Sequence, residues 1–245
     1  MTTAGLGIDG ADRAAPWNGD VFRTRLFDAL SLLLPCGEAF VIQAVSDWLA
    51  ASPQAEAGLR SHAERFVREE MSHQRAHRLY NDGLACSGVP LQALEQRIES
   101  AVRELAPRDL RTRLALSAAF EHLTALLSAE VLRGPVWLTA SPCRESRLWR
   151  WHCEEELAHR HVTTDLLHAS GVRYLRRTGS LALATCYLGI DVARLVFALC
   201  AHDVRCGAVS RGRLLLQACG LAWRACPGVA RMAAAWLAYL LPAHR

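Results

Sequence analysis

The chain has 245 residues, of which 51% are hydrophobic and 21% are charged. A chain of this length and apolarity can form a core without disulfide or metal staples, and its composition excludes a disordered protein. All 28 basic residues are arginines. The absence of lysine excludes a lysine Schiff base, a lysine general base and a phosphate-binding loop that ends in Gly-Lys.

The net charge of +4 is distributed unevenly along the chain. Residues 1–165 contain 18 arginines and 22 acidic residues, whereas residues 166–245 contain ten arginines and two acidic residues. A basic and apolar C-terminal third indicates contact with an anionic partner such as a membrane surface. A solvated arginine face beside a buried core would give the same pattern. We predict no nucleic-acid partner.

The cysteines and the N-terminus bear on the compartment. None of the nine cysteines belongs to a Cys-x-x-Cys pair, so no zinc-ribbon or thioredoxin spacing is present. Residues 1–20 are rich in Gly, Ala and Asp and lack the apolar run of a signal peptide. We therefore predict a cytoplasmic protein with mostly buried thiols, and we leave peripheral membrane association and oligomerisation open.

The pattern along the chain is helical, because apolar residues recur every three or four positions and alternating stretches are scarce. We predict an all-α protein with a flexible tail over residues 1–20, a helical domain over 21–178 and a C-terminal helical extension over 179–245. Proline and glycine separate the elements. The predicted helices cover residues 21–34, 36–51, 54–86, 91–105, 108–132 and 144–170, with further helices after 180.

The C-terminal extension is more apolar than the rest of the chain. Residues 180–202 are interrupted by Asp191 and Arg194, and residues 214–241 are interrupted by two arginines and a proline. Neither segment offers the roughly 18–20 uninterrupted apolar residues of a membrane span. We therefore predict two packed helical hairpins here and no membrane-spanning helix.

Carboxylates and imidazoles form an ordered pattern on the predicted helices. Residues three apart share one helix face, so each Glu-x-x-His pair can grip one metal ion, and a glutamate on each remaining helix can bridge. Glu38 and Glu70 are separated by nearly as many residues as Glu121 and Glu156. The pattern therefore predicts two similar helical hairpins that form one bundle. The predicted metal ligands are Glu38, Glu70, His73, Glu121, Glu156 and His159.

This ligand order is that of the ferritin-like di-iron and di-manganese bundles. We therefore predict a ferritin-like four-helix bundle with additional C-terminal helices. A shell of four carboxylates and two imidazoles favours iron or manganese, since zinc prefers fewer ligands and calcium rarely takes histidine. The predicted cofactor is a pair of iron ions, with a manganese or mixed pair left open.

Two further histidines share the inward faces of these helices. His152 lies one turn before Glu156 and is predicted to be a seventh metal ligand, with packing between tryptophans or a hydrogen bond to a ligand carboxylate as the alternative. His77 is left open between a ligand and an outer partner that orients a carboxylate. Both histidines are predicted to be catalytic. Asp165 is the predicted partner of an imidazole, and Glu69, Glu154 and Glu155 are predicted to face solvent or to lie behind the ligands.

Four ordered motifs in residues 25–178 resemble a bacterial family labelled "predicted metal-dependent hydrolase". The first motif is Leu34–Glu38 and the second is Glu69–His77. The third is Glu121–Ala125 and the fourth is Trp149–His159. Two positions depart from the family's pattern, which has glutamine at Glu69 and glutamate at Ala158. The His152, Glu156 and His159 spacing is also similar to that of the di-iron arylamine N-oxygenases.

Three functions are compatible with this resemblance and these ligands. Binuclear hydrolases usually have more imidazoles or an aspartate-rich shell, whereas a carboxylate-rich pair of redox metals suits O2 binding. The leading prediction is therefore a non-haem di-iron oxygenase that oxidises an amine or a carbon atom of a small organic molecule. O2 would be its co-substrate, and an external electron donor would be its partner. The alternatives are a binuclear metal-dependent hydrolase and a non-catalytic metal-binding protein.

Overall fold

The computed structural model describes residues 16–85, 89 and 91–241, so most of the predicted tail lies outside the described residues. Within these ranges the chain is helical and has no strand, which confirms the all-α prediction. The helices are α1 (Val21–Ala51), α2 (Ala57–Ala85), α3 (Leu91–Leu105), α4 (Leu110–Arg133), α5 (Arg144–Ala169), α6 (Tyr174–Arg205) and α7 (Arg211–Tyr239).

Four of the helices form a bundle. Helix α1 packs along α2 and α4 packs along α5, and these two pairs meet through contacts of α1 with α4 and of α2 with α5. Helix α3 connects the pairs and packs on α1, while α6 and α7 pack on the outside of α1 and α4. The two predicted hairpins are therefore α1–α2 and α4–α5, and they place the four predicted ligand segments on four different helices.

The interior at one end of the bundle is formed by large apolar side chains from α1, α2 and α4. Phe40 and Trp48 from α1 pack with Phe66 from α2 and Leu114 from α4, and all four are buried. Burial of each such side chain contributes roughly 1.5–3 kcal/mol. This packing fixes the register of α1 against α2, and the register decides which side chains face each other in the middle of the bundle.

The structure differs from the sequence-based prediction at Pro35. We expected a break between two helices there, whereas α1 runs through Pro35 without interruption. A proline inside a helix leaves the carbonyl four residues earlier without its backbone donor. In this bundle the carbonyl of Ser31 instead accepts a hydrogen bond of 3.0 Å from the Asn81 side chain. Helix α2 therefore supplies the donor that Pro35 lacks, and α1 remains continuous up to Glu38.

The C-terminal extension also differs from its prediction. It consists of two long helices rather than two hairpins, and Pro227 lies inside α7. The predicted domain boundary between residues 178 and 179 falls within α6, which begins at Tyr174. Helix α6 packs on α1 and α4 rather than mainly on α7. The extension is therefore attached to the bundle helix by helix.

Three described helices, α1, α4 and α6, are long and apolar enough to cross a membrane by length and composition. This finding corrects the prediction that Asp191 and Arg194 exclude a membrane-spanning helix, because an 18-residue window of α6 has a mean hydropathy of 1.7. Most of the window in α4 is buried in the bundle, whereas little of the window in α6 is. The cytoplasmic location stays a prediction.

Candidate metal centre

The bundle interior brings all the predicted site residues to one region. They come from the middle of α1, α2, α4 and α5, and each is 5% exposed or less. Buried carboxylates and imidazoles are rare unless they are paired or bind a cation. The site residues are Glu38, Glu70, His73, His77, Glu121, His152, Glu156 and His159.

The two Glu-x-x-His pairs converge on one point. Nδ1 of His73 lies 3.4 Å from Oε1 of Glu70 and 3.4 Å from Oε1 of Glu156. Nδ1 of His159 lies 2.6 Å from Oε1 of Glu70 and 3.8 Å from Oε1 of Glu156. Bonds of roughly 2.0–2.1 Å to a tetrahedral ion would place its ligand atoms roughly 3.3 Å apart. The four atoms are therefore spaced as the ligands of one metal ion.

Well-aligned hydrogen bonds do not explain this convergence. Oε1 of Glu70 and Nδ1 of both histidines are completely buried, and their contacts with one another are ion pairs that lack hydrogen-bond geometry. An unpaired buried polar atom costs roughly 1–3 kcal/mol, so several of them in one place indicate a missing partner. A divalent cation would satisfy all these lone pairs at once. The residues present therefore fit a metal ion.

A second group lies beside the first. One potential ligand atom from each of Glu38, His73 and His152 lies within 4.8 Å of the others. Both carboxylate oxygens of Glu38 and Nδ1 of His152 are buried without a hydrogen-bond partner. The two groups share His73. Because an imidazole nitrogen has one lone pair, any one nitrogen of His73 can bind only one metal ion.

Glu121 lies on α4 at the edge of the site and belongs to neither of these two groups of ligand atoms. It lines a small cavity of about 100 Å³ together with Glu38, Glu70 and Glu156, and its Oε2 has no hydrogen-bond partner. The hydroxyl of Thr124, one turn later, donates a hydrogen bond of 2.7 Å to Oε2 of Glu156. This contact fixes the carboxylate of Glu156 and was not anticipated from the sequence.

The charges of the cluster are strongly coupled. Burial and the neighbouring carboxylates raise the pKa of Glu38 and of Glu121 well above the usual value. Burial alone would lower the pKa of His159, but Glu156 and Glu70 outweigh it and raise that pKa to about 11. The same balance, with the same two carboxylates, raises the pKa of His73 to about 10. Two imidazolium groups thus balance two carboxylates, and divalent cations would allow all four carboxylates to ionise.

The remaining two histidines behave differently. Burial lowers the pKa of His152 to about 4 and lowers that of His77 well below its usual value, so both are neutral. His77 belongs to neither group of ligand atoms. Its Nδ1 lies 2.9 Å from the hydroxyl of Ser31, and its ring stacks edge-on against that of His152 at 4.9 Å. The structure therefore places His77 behind His152.

Outer carboxylates orient the two ligand imidazoles of the first group. Nε2 of His73 lies 2.9 Å from Oε2 of Glu155, and Nε2 of His159 lies 3.2 Å from Oε2 of Glu69. Each contact orients the ring so that Nδ1 of that histidine faces inward, as carboxylate–histidine–metal arrangements do. Asp165, which we expected in this role, is exposed. The adjacent Glu-Glu pairs in the sequence were the signal for this arrangement, since one member faces inward and the other reaches the neighbouring helix.

We expect Glu155→Ala to weaken metal affinity about 10- to 100-fold, because Nε2 of His73 loses the acceptor that fixes its ring. Glu154→Ala is the matched control, since Glu154 is the exposed neighbour on the same helix. Competition titration with a chromophoric chelator measures the affinity. Equal affinities of the two variants would show that Glu155 does not position His73.

The fold and the site together define a helical protein with a buried carboxylate–imidazole metal centre. The family model described as "predicted metal-dependent hydrolase" matches residues 8–245, and the chain therefore belongs to that family. This confirms the resemblance that the four motifs indicated. No match was found among curated proteins or among solved structures.

The family assignment corrects the functional prediction. We expected an O2-dependent oxygenase, but the chain is matched over nearly its whole length by a hydrolase family, and the alternative hydrolase hypothesis fits better. The O2 co-substrate and the external electron donor were expected as parts of the oxygenase hypothesis, and the family match shows neither. The similarity to arylamine N-oxygenases found no support in the comparisons. The physical reason for the error is that a carboxylate-rich ligand set with histidines suits both O2 chemistry and hydrolysis, so the ligands alone do not choose between them.

Proposed function

We propose that the protein hydrolyses a small, mainly apolar molecule at a centre of two divalent metal ions. The observation that carries this proposal is the convergence of Glu70, His73, Glu156 and His159 on one point, in a chain of a metal-dependent hydrolase family. Glu38 and His152 would hold the second ion. Glu121 would complete the centre from α4.

The donor set guides the choice of metal. Four carboxylates with imidazoles favour iron or manganese, because zinc usually binds fewer ligands and calcium rarely binds nitrogen. The arrangement of two hairpins, each with a glutamate on one helix and Glu-x-x-His on the next, supports a ferritin-like bundle. We therefore propose a ferritin-like scaffold with an iron or manganese pair that acts hydrolytically.

When bound, divalent ions act as Lewis acids that polarise a carbonyl or phosphoryl oxygen and lower the pKa of water. The chain's own residues prepare the site for this chemistry. Thr124 holds Glu156 by its hydroxyl, and Glu155 and Glu69 hold the two imidazoles from behind. Burial excludes bulk water, which strengthens every electrostatic interaction in the centre.

His152 is the site residue that faces both the metal centre and open space. It belongs to the second group of ligand atoms and also lines an adjoining cavity. We propose that its imidazole contacts the reacting group. His77 lines none of the described cavities and contacts the ring of His152, so we propose that it positions His152.

We expect His152→Ala to retain the ion held by the first group, to weaken binding of the second ion, and to lose at least about 100-fold in turnover, because a metal ion contributes several kcal/mol to such reactions. His77→Ala is expected to lower turnover less than His152→Ala and to shift its pH profile. Metal analysis and hydrolysis assays on the same preparations measure both effects. Full activity of His152→Ala would remove His152 from the reaction.

Metal removal tests the proposed function itself. The protein is stripped with a chelator and reloaded, without air, with Mn²⁺, Fe²⁺ or Zn²⁺, and hydrolysis of p-nitrophenyl esters is followed. We expect activity to disappear with the metal and to return at about two ions per chain. Hydrolysis that is unaffected by complete metal removal would contradict the proposal.

A further inference from the structure

Two large apolar cavities adjoin the small cavity of the metal centre. The nearer one has a volume of about 500 Å³ and lies between α1, α4, α5, α6 and α7. It shares four lining residues with the small cavity and therefore begins where the metal centre ends. The shared residues are Leu33, Leu34, Thr124 and Leu188.

The second large cavity continues from the first. It has a volume of about 660 Å³ and lies mainly between α1, α6 and α7. The two large cavities share Leu30, Leu123, Thr185 and Leu188. The three cavities therefore lie side by side from the buried carboxylates to the outer side of α6 and α7, and this series of cavities is called the channel below. Each large cavity falls within the roughly 300–1,000 Å³ typical of ligand sites.

The chemistry of the channel changes along its length. Glu38, Glu70, Glu121 and Glu156 line the inner cavity, whereas no Asp, Glu or Arg from the described ranges lines either large cavity. The polar groups of the first large cavity include Thr124 and His152, which lie beside the metal centre. A ligand that matches this channel has one polar, reactive end and a long apolar tail.

We propose that the substrate is an ester or amide of a long-chain fatty acid, with its acyl chain in the two large cavities and its carbonyl beside Thr124 and His152. The hydrolytic step rests on the proposed function. In that step the bond from the acyl carbon to the alcohol oxygen or amine nitrogen breaks, and the oxygen of water bonds to the acyl carbon. One proton of water passes to the leaving group, and nothing is oxidised or reduced.

Binding of fatty acids tests the channel independently of hydrolysis. Octanoate, dodecanoate and hexadecanoate are titrated calorimetrically into the full chain, below their micelle concentrations and in the presence of a chelator. Burial of each methylene is expected to tighten binding roughly fourfold until the channel is filled. Binding that does not depend on chain length, or no binding at all, would overturn the proposal.

Two variants locate the chain within the channel. Leu30→Trp places a large side chain at the junction of the two large cavities, and Ala193→Trp fills the outer one from a more tolerant, exposed position. Both are expected to weaken hexadecanoate binding at least tenfold and to leave octanoate binding nearly unchanged. Leu216→Trp, at a residue that lines none of the described cavities and is 76% exposed, is the control. Equal hexadecanoate affinity in all three variants would contradict the placement.

The two proposals fail in different ways. Fatty-acid binding that depends on chain length, without any ester hydrolysis by the metal-loaded protein, would contradict the proposed function. It would still support the channel as an acyl-chain site. Metal-dependent hydrolysis of acetate and hexadecanoate esters at equal rates, without fatty-acid binding, would contradict the channel alone.

A second inference rests on the outer surface of α6 and α7. Phe197, Leu215, Leu216 and Trp223 are between 66% and 84% exposed. Phe197 and Leu215 also line the outer cavity, so the channel reaches the surface between exposed apolar side chains. Such a cluster on a protein surface marks an interaction site.

The charge of the same region identifies the partner. Residues 166–245 carry ten arginines and two acidic residues, and the exposed arginines include three at the turn between α6 and α7: Arg205, Arg211 and Arg213. Exposed apolar and aromatic side chains flanked by arginines suit the interface of an anionic bilayer. We propose that this face lies on an anionic membrane surface.

Co-sedimentation with lipid vesicles tests this contact. We expect binding to vesicles that contain phosphatidylglycerol, weaker binding at high salt and little binding to pure phosphatidylcholine. The double variant Phe197→Ser/Leu216→Ser is expected to lose at least tenfold in affinity, whereas Met71→Ser, at an exposed position on α2, should bind normally. Equal binding to both vesicle types would contradict the proposal, as would a stable dimer that buries this face and does not bind lipid.

Discussion

Glu156→Ala is expected to remove bound metal and to lower hydrolytic turnover at least about a thousandfold. Glu156 lies 3.4 Å from Nδ1 of His73 and 3.8 Å from Nδ1 of His159, so one side chain connects both imidazoles of the first group. Loss of this carboxylate opens the ligand set and leaves two imidazolium groups buried with too little negative charge. Metal ions contribute several kcal/mol to such reactions, which corresponds to about three orders of magnitude in rate.

The neighbouring Glu154→Ala provides the matched control, since Glu154 is exposed on the same helix. Metal content is measured by mass spectrometry, and circular dichroism checks that both variants stay helical. A folded Glu156→Ala protein that retains two metals per chain would show that the ligand set is wrong.

Arg25→Met is expected to lower the free energy of unfolding by about 2–3 kcal/mol, with a fall in Tm of roughly 5–10 °C. Arg25 donates two hydrogen bonds of 2.7 Å to Asp203 on α6 and one of 2.8 Å to Asp28 on its own helix. Asp28 is completely buried, and burial raises its pKa although Arg25 opposes this. Without the guanidinium, two buried carboxylates lose their cation, and α6 loses a contact with the bundle.

Arg194→Met is the control for this prediction. Arg194 lies on α6, is 60% exposed and forms only a long contact of 3.7 Å with Asp191. Such a pair contributes less than about 1 kcal/mol. Thermal unfolding followed by circular dichroism compares the two variants, and equal shifts in Tm would contradict a structural role for the Arg25 network.

Most of the fold follows from the sequence, because the helical period of apolar residues persists through long segments. The ends of α2, α3, α4 and α5 agree with the predicted ranges to within a few residues. The break expected at Pro35 does not occur, because the Asn81 side chain donates the hydrogen bond that the proline cannot. Asn81 is close to this part of α1 only in the folded bundle. A single helix pattern could not show that contact.

The candidate site was predictable for a related reason. Glu-x-x-His places two ligands on one helix face, so two such segments, each preceded by a helix that supplies one glutamate, define an inward cluster before any packing is known. The roles of Glu69, Glu155 and Thr124 were not predictable in the same way. Each reaches a residue on a neighbouring helix, so its partner depends on how α2, α4 and α5 are packed.

The reaction could not be predicted from the ligands alone. Carboxylates and imidazoles around two ions suit either O2 chemistry or hydrolysis, since the metal and the substrate decide between them. The motif pattern favoured the first, and the family match over residues 8–245 favours the second. The space beside His152 adds information that the ligand pattern lacks, because its apolar lining supports the proposal of an apolar substrate.

Isotope labelling of the product tests the central claim most directly. The manganese- or iron-loaded protein is incubated with p-nitrophenyl decanoate in ¹⁸O-labelled water, in parallel under argon and under air, and the decanoate formed is analysed by mass spectrometry. A metal-dependent hydrolase incorporates one ¹⁸O atom from water into the carboxylate, at the same rate in both atmospheres. Turnover that stops under argon, or product oxygen that derives from O2, would contradict hydrolysis as the function of this centre.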